Sequence, residues 1–126
     1  MQTACRRPVV LVVEDEMLMR WHAVTIIEDA GFEVVEAANA VEALVMLEKR
    51  KDIGVIFTDI QMPGPIDGVK LAHMVRTRWP PIKIVATSGR FKLRDYELPD
   101  GGRFLPKPYA VVQVTGLLRE LTSEAA

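Results

Sequence analysis

The chain has 126 residues, close to the commonest size of a single domain, so we expect one domain with one hydrophobic core over about residues 8–121. Apolar residues make up 49% and charged residues 26%, as in soluble globular proteins, and the net charge of −1 gives no support for direct nucleic-acid binding. Cys5 is the single cysteine, which excludes an internal disulfide.

The N-terminal region has only a weak likeness to a targeting segment. Arg6 and Arg7 precede the apolar run Val9–Val13, but this run has five residues and ends at Glu14. The apolar region of a signal peptide needs about 7–15 residues, and a membrane-spanning helix needs about 18. We therefore predict a cytoplasmic protein without membrane contact.

Five short apolar runs, each a candidate β-strand, alternate with segments of helical spacing. The runs are Val9–Val13, Phe32–Val35, Ile53–Phe57, Ile82–Ala86 and Phe104–Leu105. Two of them, Val9–Val13 and Ile53–Phe57, are almost continuously apolar, which is typical of strands covered on both faces. The alternation predicts an α/β fold: a parallel sheet with helices on both faces and right-handed crossovers.

Four of the intervening segments are predicted to be helices. Gly31 is expected to end the first helix, and Asn39 is expected to cap the start of the second. The third should stop before Pro80, and Gly116 is a weak point in the last. The residues expected to face the core are Met19, Ala23, Ile26, Ile27, Ala30, Ala40, Ala43, Leu44, Leu47, Leu71, Met74, Val75, Val114, Leu117, Leu118 and Leu121.

The segment Arg90–Asp100, between the fourth and fifth strands, has little apolar periodicity and contains Pro99. A short, frayed or irregular helix is expected there. Residues 122–126 are expected to fray. Trp21 and Trp79 are assigned to packing rather than to a stacking platform.

Polar side chains follow the strands of the predicted sheet at the points where the strands end. The groups are Glu14-Asp15-Glu16 after the first strand, Thr58-Asp59 at the third, Thr87-Ser88-Gly89 at the fourth and Lys107-Pro108 at the fifth. In a doubly wound sheet the carboxyl ends of the strands share one edge, where ligands bind. Three acids, a hydroxyl and a lysine should therefore converge.

Each of these features also has a simpler explanation. Acids at a helix start complement the helix dipole, and an Asp after a strand is commonly a turn or capping residue. Their convergence on one edge favours a site, because clustered carboxylates repel one another unless a cation lies between them. Mg²⁺ prefers such oxygen ligands, and an Asp carboxylate can attack phosphorus to form an acyl phosphate.

These residues resemble the receiver (CheY-like) domains of bacterial two-component response regulators, from about Pro8 to Leu121. The motifs that carry the resemblance are Val12-Val13-Glu14-Asp15-Glu16, Thr58-Asp59-Ile60-Gln61-Met62-Pro63-Gly64, Asp67-Gly68, Ala86-Thr87-Ser88-Gly89 and Phe104-Leu105-Pro106-Lys107-Pro108. The resemblance implies a flavodoxin-like, five-stranded parallel sheet of order 2-1-3-4-5, with a short or irregular fourth helix.

The resemblance also implies a role for each site residue. Asp59 would accept the phosphoryl group, and Lys107 would pair with a phosphoryl oxygen. Ser88 would be the switch hydroxyl, with Thr87 as the alternative, and Phe104 would be the switch aromatic. The Mg²⁺ ligands would be Asp15, Asp59, the backbone carbonyl of Gln61 and, through metal-bound water, Glu14. The Lys107–Pro108 peptide bond is expected to be cis.

The implied function is a phosphorylation switch that catalyses only its own phosphorylation and dephosphorylation. A histidine kinase or phosphotransfer protein would be the donor, a downstream protein would be the target, and a homodimer is left open. Two alternatives remain at this point: an interaction module that is never phosphorylated, and a Mg²⁺-dependent phosphohydrolase. Such hydrolases commonly use a second Asp two residues after the nucleophile, a position that Gln61 occupies here.

Overall fold

A computed structural model describes residues 8–89 and 97–122 of the chain. It contains one five-stranded sheet of order β2-β1-β3-β4-β5, in which every neighbouring pair is parallel. The strands are β1 (Val9–Val13), β2 (Val34–Ala37), β3 (Ile53–Asp59), β4 (Lys83–Ser88) and β5 (Arg103–Pro106). The helices are α1 (Met17–Asp29), α2 (Ala40–Lys49), α3 (Gly68–Arg78) and α4 (Val111–Thr122). The predicted fold class and strand order are confirmed.

The hydrophobic core consists of two layers, one on each face of the sheet. On one face, strand residues such as Leu11 and Ile56 pack with the inner residues of α2 and α3. On the other face, Val12 and Phe57 pack with the inner residues of α1 and α4. Because both faces of β1 and β3 are covered, every β1 residue is buried, as the continuous apolar run predicted.

The helix ends follow local chemistry. The Asn39 side chain accepts a hydrogen bond from the Glu42 N–H at 2.9 Å, which confirms it as the cap of α2. Asp67 caps α3 in the same way, accepting from the Lys70 N–H at 2.9 Å. Gly31 follows α1 with a φ of 96°, the left-handed conformation that favours glycine after a helix.

The start of β2 and the environment of Trp21 differ from the sequence predictions. Strand β2 begins at Val34 rather than at Phe32, because the Phe32 N–H donates to the Ile27 carbonyl of α1 at 3.3 Å, while its ring is buried in the core. Trp79 packs against the core, but Trp21 is 66% exposed, so its assignment to packing is wrong. The simpler explanation of the acids before α1, as charges in its first turn, does not apply, because they lie before that turn, with Glu16 at the N-cap.

Some predictions fall on parts of the chain outside the described residues. These are the short or irregular helix expected over Arg90–Asp100, most of which lies in residues 90–96, and the frayed tail expected over residues 122–126, of which only Thr122, the last residue of α4, is described. Cys5 also lies outside the described residues. Within residues 8–89 and 97–122, no helix is both long enough and apolar enough to cross a bilayer.

Candidate functional site

The residues predicted to form a site come together at the carboxyl edge of the sheet. Glu14 follows β1, and its N–H donates to the Ala37 carbonyl at the end of β2 at 3.1 Å. Asp59 ends β3 and lies opposite Thr87 in the register of β3 and β4. The Lys107 N–H donates to the Ser88 carbonyl at 2.9 Å, which ties the residue after β5 to the end of β4.

Three carboxylates form the centre of this site. Glu14, Asp15 and Asp59 each offer an oxygen, and these oxygens all lie within 4.8 Å of one another. Glu14 and Asp59 are only 6% and 7% exposed, whereas Asp15 is open to solvent. The carboxylates face a cleft of about 400 Å³, which is lined by Glu14, Asp15, Glu16, Met19, Asp59, Gln61, Gly89 and Lys107.

Lys107 lies between the two buried carboxylates. Its Nζ atom is 3.0 Å from Glu14 Oε1 and 3.3 Å from Asp59 Oδ1. The contact with Asp59 agrees with the lysine's predicted place beside the acceptor. The hydrogen bond to Glu14 was not predicted, and no local sequence pattern relates two residues that are 93 positions apart.

Burial dominates the electrostatics of the carboxylates. Desolvation raises the pKa of Asp59 above its ordinary value, although the Lys107 ammonium and a hydrogen bond from the Gln61 N–H act in the opposite direction. Desolvation likewise raises the pKa of Glu14 against the hydrogen bond from Lys107. Burial alone would lower the pKa of Lys107, but its two carboxylate partners together raise it.

The donor set fits a small divalent cation. When ionised, these three carboxylates and the Lys107 ammonium carry a net charge of −2, and a fourth acid, Glu16, lines the same cleft. Carboxylate oxygens are the ligands that Mg²⁺ prefers, and it usually keeps several waters, for which the open side at Asp15 leaves room. A cation here would offset the mutual repulsion of the acids.

The loop after Asp59 is held close to the strand. The Gly68 N–H donates to the Ile60 carbonyl at 2.8 Å, so the loop folds back on itself before α3. A Cβ atom on Gly68 would collide with the Asp59 carbonyl and would lie 2.6 Å from Ile60 Cα. The absence of a side chain at position 68 therefore lets the start of α3 contact the backbone of the predicted acceptor.

The predicted switch residues occupy buried or half-buried positions. Thr87 and Ser88 are 2% and 1% exposed, and both belong to β4. Phe104 lies on β5 opposite Ala86 and packs partly buried against the core layer formed with α2 and α3. Both hydroxyl residues therefore lie at the end of β4, and their burial does not show which of them is the switch hydroxyl.

Tyr109 is a site neighbour that the sequence reasoning missed. Its buried ring stacks on His22 of α1 with a centroid distance of 5.9 Å and meets Phe57 edge-on at 5.7 Å. Desolvation raises the pKa of its hydroxyl against the charge of Lys107. The Lys107–Pro108 bond before it is cis, as predicted. An aromatic residue after Lys-Pro was the only available signal, and it does not identify His22 as the partner.

The strand order and the acidic edge together define the flavodoxin-like receiver class of fold. A sequence model of the response regulator receiver domain matches residues 10–116. The sensor kinase CckA of Brucella abortus is 34% identical over 116 residues, which cover 89% of this chain and 12% of that protein. The transcriptional regulator NtrC of Escherichia coli is 28% identical over 94% of this chain and 25% of its own length.

Solved structures of receiver domains are also similar to this chain. The receiver domain of the hybrid histidine kinase CckA is 32% identical and superposes with a TM-score of 0.75, over 90% of this chain and 97% of that one. A receiver protein from Sinorhizobium medicae is 28% identical with a TM-score of 0.83, over 91% and 94% of the two chains.

The chain belongs to the response regulator receiver domain family. Members of this family are phospho-acceptor switches of two-component systems rather than conventional enzymes, and they interact with histidine kinases and downstream effectors. The chain spans 12% to 25% of the length of the curated relatives it matches.

Proposed function

We propose that Asp59 accepts a phosphoryl group from a histidine kinase or phosphotransfer protein and that the chain signals through the resulting change of shape. One observation carries this proposal: Asp59 is a buried carboxylate held 3.3 Å from the Lys107 ammonium, with two further carboxylates beside it. An anion that gains more negative charge needs such a cationic partner, which supports Asp59 rather than the exposed Asp15 as the acceptor.

The transfer requires an ionised Asp59. One carboxylate oxygen attacks the phosphorus of the donor phosphohistidine, forming a P–O bond as the P–N bond breaks, and the imidazole nitrogen leaves with the electron pair. Lys107 then stays close to a phosphoryl oxygen, exchanging its carboxylate contacts for a contact with the new group. Water later attacks the phosphorus and breaks its bond to the Asp59 oxygen, which releases inorganic phosphate and restores the carboxylate. In this proposal the chain catalyses only its own phosphorylation and dephosphorylation.

Mg²⁺ is the cofactor that we propose for this site. Asp15, Asp59 and the Gln61 backbone carbonyl would hold it directly, and Glu14 would act through metal-bound water. The ion would neutralise charge on the phosphoryl oxygens during transfer. Support comes from the three carboxylate oxygens within 4.8 Å and from Gln61, which lines the same cleft.

The response to phosphorylation is assigned to the end of β4. We propose Ser88 as the hydroxyl that hydrogen-bonds the phosphoryl group, with Thr87 as the alternative, and Phe104 as the aromatic side chain whose position follows. The backbone hydrogen bond between Lys107 and Ser88 supports this choice, because it links Ser88 directly to the residue that contacts Asp59.

The surface around the cleft supports a protein as the phospho-donor. At the start of α1, Met17, Leu18 and Trp21 are 69%, 77% and 66% exposed, and at the start of α4, Val112 is 77% exposed. Both helices begin at the carboxyl edge of the sheet, so these apolar side chains flank the site. A folded protein partner would bury them, whereas a small phosphate ester would not.

The wider role is also a proposal. We place the chain in the cytoplasm as a single receiver domain over residues 1–126, acting on a downstream protein without direct contact with nucleic acid or membrane. Its net charge of −1 supports the absence of a nucleic-acid surface. Self-association into a homodimer stays an open alternative.

The acceptor is tested with acetyl phosphate and Mg²⁺. Intact-mass spectrometry should show that the wild-type protein gains one phosphate and that Asp59→Asn gains none. Asp67→Asn is the matched control, because Asn also caps a helix well and the same chemical change is made at the start of α3. Phosphate on Asp59→Asn, or none on the wild-type protein, would reject the assignment. Sustained release of phosphate from phosphomonoesters would instead favour the phosphohydrolase.

A further inference from the structure

Arg20, one turn into α1, makes two contacts outside the carboxylate cluster. One is with the backbone of a residue in the cluster, and the other is with the neighbouring strand β2. One guanidinium nitrogen, Nη1, donates to the Glu14 backbone carbonyl at 2.9 Å. Another, Nε, donates to Glu36 Oε1 on β2 at 3.1 Å. Its side chain is 20% exposed, less than the other ion-paired arginines of the described residues, Arg50, Arg78 and Arg103.

The first of these contacts fixes the peptide group that joins Glu14 to Asp15. The Glu14 N–H is already held by the Ala37 carbonyl at 3.1 Å, so the backbone of Glu14 is held on both sides. The direction of this carbonyl determines how the chain leaves β1, and therefore where the Asp15 carboxylate lies. Glu36 in turn keeps the guanidinium in place by accepting the hydrogen bond from Nε.

We propose that Arg20 is a positioning residue for the acidic cluster, holding Glu14 and Asp15 in the arrangement that binds a divalent cation. The inference rests on the Mg²⁺ site of the proposed function. Mg²⁺ requires near-octahedral geometry, so a small rotation of the Glu14–Asp15 peptide would weaken its binding. Groups that orient metal ligands commonly change metal affinity by about 10- to 100-fold when removed.

The charge of Arg20 has the opposite effect from its positioning role. A guanidinium near the carboxylates repels a cation, so on electrostatics alone removal of Arg20 would strengthen Mg²⁺ binding. If Arg20 positions the acidic cluster, its removal weakens Mg²⁺ binding. The direction of the change in Mg²⁺ affinity therefore separates the two effects, and a merely structural role of Arg20 would change the free energy of unfolding without changing affinity.

The experiment is a Mg²⁺ titration of metal-free protein, monitored by NMR through the backbone amide resonances of the loop after Asp59. Trp21 fluorescence is avoided because Trp21 is next to the substituted residue. Arg20→Met should bind Mg²⁺ about tenfold more weakly than the wild-type protein. Arg20→Lys should also bind weakly, because one ammonium cannot reproduce a rigid two-nitrogen fork. Met and Lys are both good helix formers, so α1 is retained.

Two further variants complete the test. Glu36→Gln keeps an oxygen that accepts from Nε and should retain near wild-type affinity, whereas a pure charge effect would weaken the site by removing a negative charge. Arg103→Met removes an arginine that pairs with Glu120 at 2.9 Å and lies at the amino end of β5, away from the cleft. This control should not change Mg²⁺ affinity. Urea unfolding of metal-free Arg20→Met gives its stability separately.

The outcomes distinguish this inference from the proposed function. If the wild-type protein binds Mg²⁺ and the two Arg20 variants bind it equally well or more tightly, the positioning role is overturned and the metal site stands. If the wild-type protein does not bind Mg²⁺ at all, the metal site is overturned, and this inference with it. Weaker binding by both Arg20 variants but not by Arg103→Met supports the positioning role.

Discussion

At the scale of single residues, the proposed function assigns the response to phosphorylation to the hydroxyl of Ser88, with the neighbouring hydroxyl of Thr87 as the alternative. Both are buried, yet only Ser88 shares a backbone hydrogen bond with Lys107, which contacts Asp59. A hydrogen bond to a charged group contributes about 1.5–3 kcal/mol, enough to change the balance between two conformations at least about tenfold.

Ser88→Ala should therefore still take up phosphate at Asp59 but should lose most of the accompanying change in the ring resonances of Phe104. Thr87→Val, which keeps the side-chain shape and removes the hydroxyl, should retain that change. The measurement is NMR of both variants before and after acetyl phosphate and Mg²⁺. The reverse pattern would assign the switch to Thr87.

At the scale of elements, the contact between α3 and the end of β3 depends on the absence of a side chain at position 68. A Cβ atom there would lie 2.6 Å from Ile60 Cα and would collide with the Asp59 carbonyl. At Gly116, in the middle of α4, the same atom would meet nothing within 4 Å. Alanine substitutions at these two glycines are therefore expected to have opposite effects on stability.

Gly68→Ala should destabilise the protein by about 1–3 kcal/mol, because backbone must shift to admit the methyl group. Gly116→Ala should stabilise it by about 0.5–1 kcal/mol, because alanine loses less conformational freedom in a helix. Urea unfolding followed by circular dichroism gives both values. A neutral Gly68→Ala would show that the loop before α3 can move away from Asp59 at little cost.

The elements themselves were predictable because periodicity and strand–helix alternation are local signals. Such signals do not tell a buried loop residue from a strand residue, which is why Phe32 was assigned to β2. They also do not reveal long-range contacts. Because the carboxyl ends of the strands share one edge, Glu14 and Lys107 were expected to lie near each other. Neither their hydrogen bond nor the contact of Arg20 with the Glu14 carbonyl follows from sequence spacing. The exposure of Trp21 could not be predicted from its residue type, because aromatic residues usually pack in the core.

At the scale of the whole molecule, the proposed cation site links metal binding to stability. An ion that binds only the folded state stabilises it by RT ln(1 + [Mg²⁺]/Kd), which is about 1.4 kcal/mol when Mg²⁺ is at ten times its Kd. Without Mg²⁺, the repulsion among Glu14, Asp15 and Asp59 acts against folding.

Asp15→Asn should accordingly show two effects. Without Mg²⁺ it should be as stable as the wild-type protein or slightly more stable, and it should gain little from added Mg²⁺. Urea midpoints with and without MgCl₂, against NaCl of equal ionic strength, measure both effects. Equal stabilisation of the two proteins by Mg²⁺ would place the cation elsewhere.

The separation of 93 positions between Glu14 and Lys107 has a consequence during synthesis of the protein. Glu14 and Asp59 leave the ribosome well before the lysine that balances them, and β3, which ends in Asp59, occupies the middle of the sheet. A chain interrupted before Lys107 carries the proposed acceptor Asp59 without the ammonium that lies beside it. Under the proposed function, competence to be phosphorylated therefore arises only after Lys107 has been synthesised, so a chain that stops before this residue does not compete for the signal.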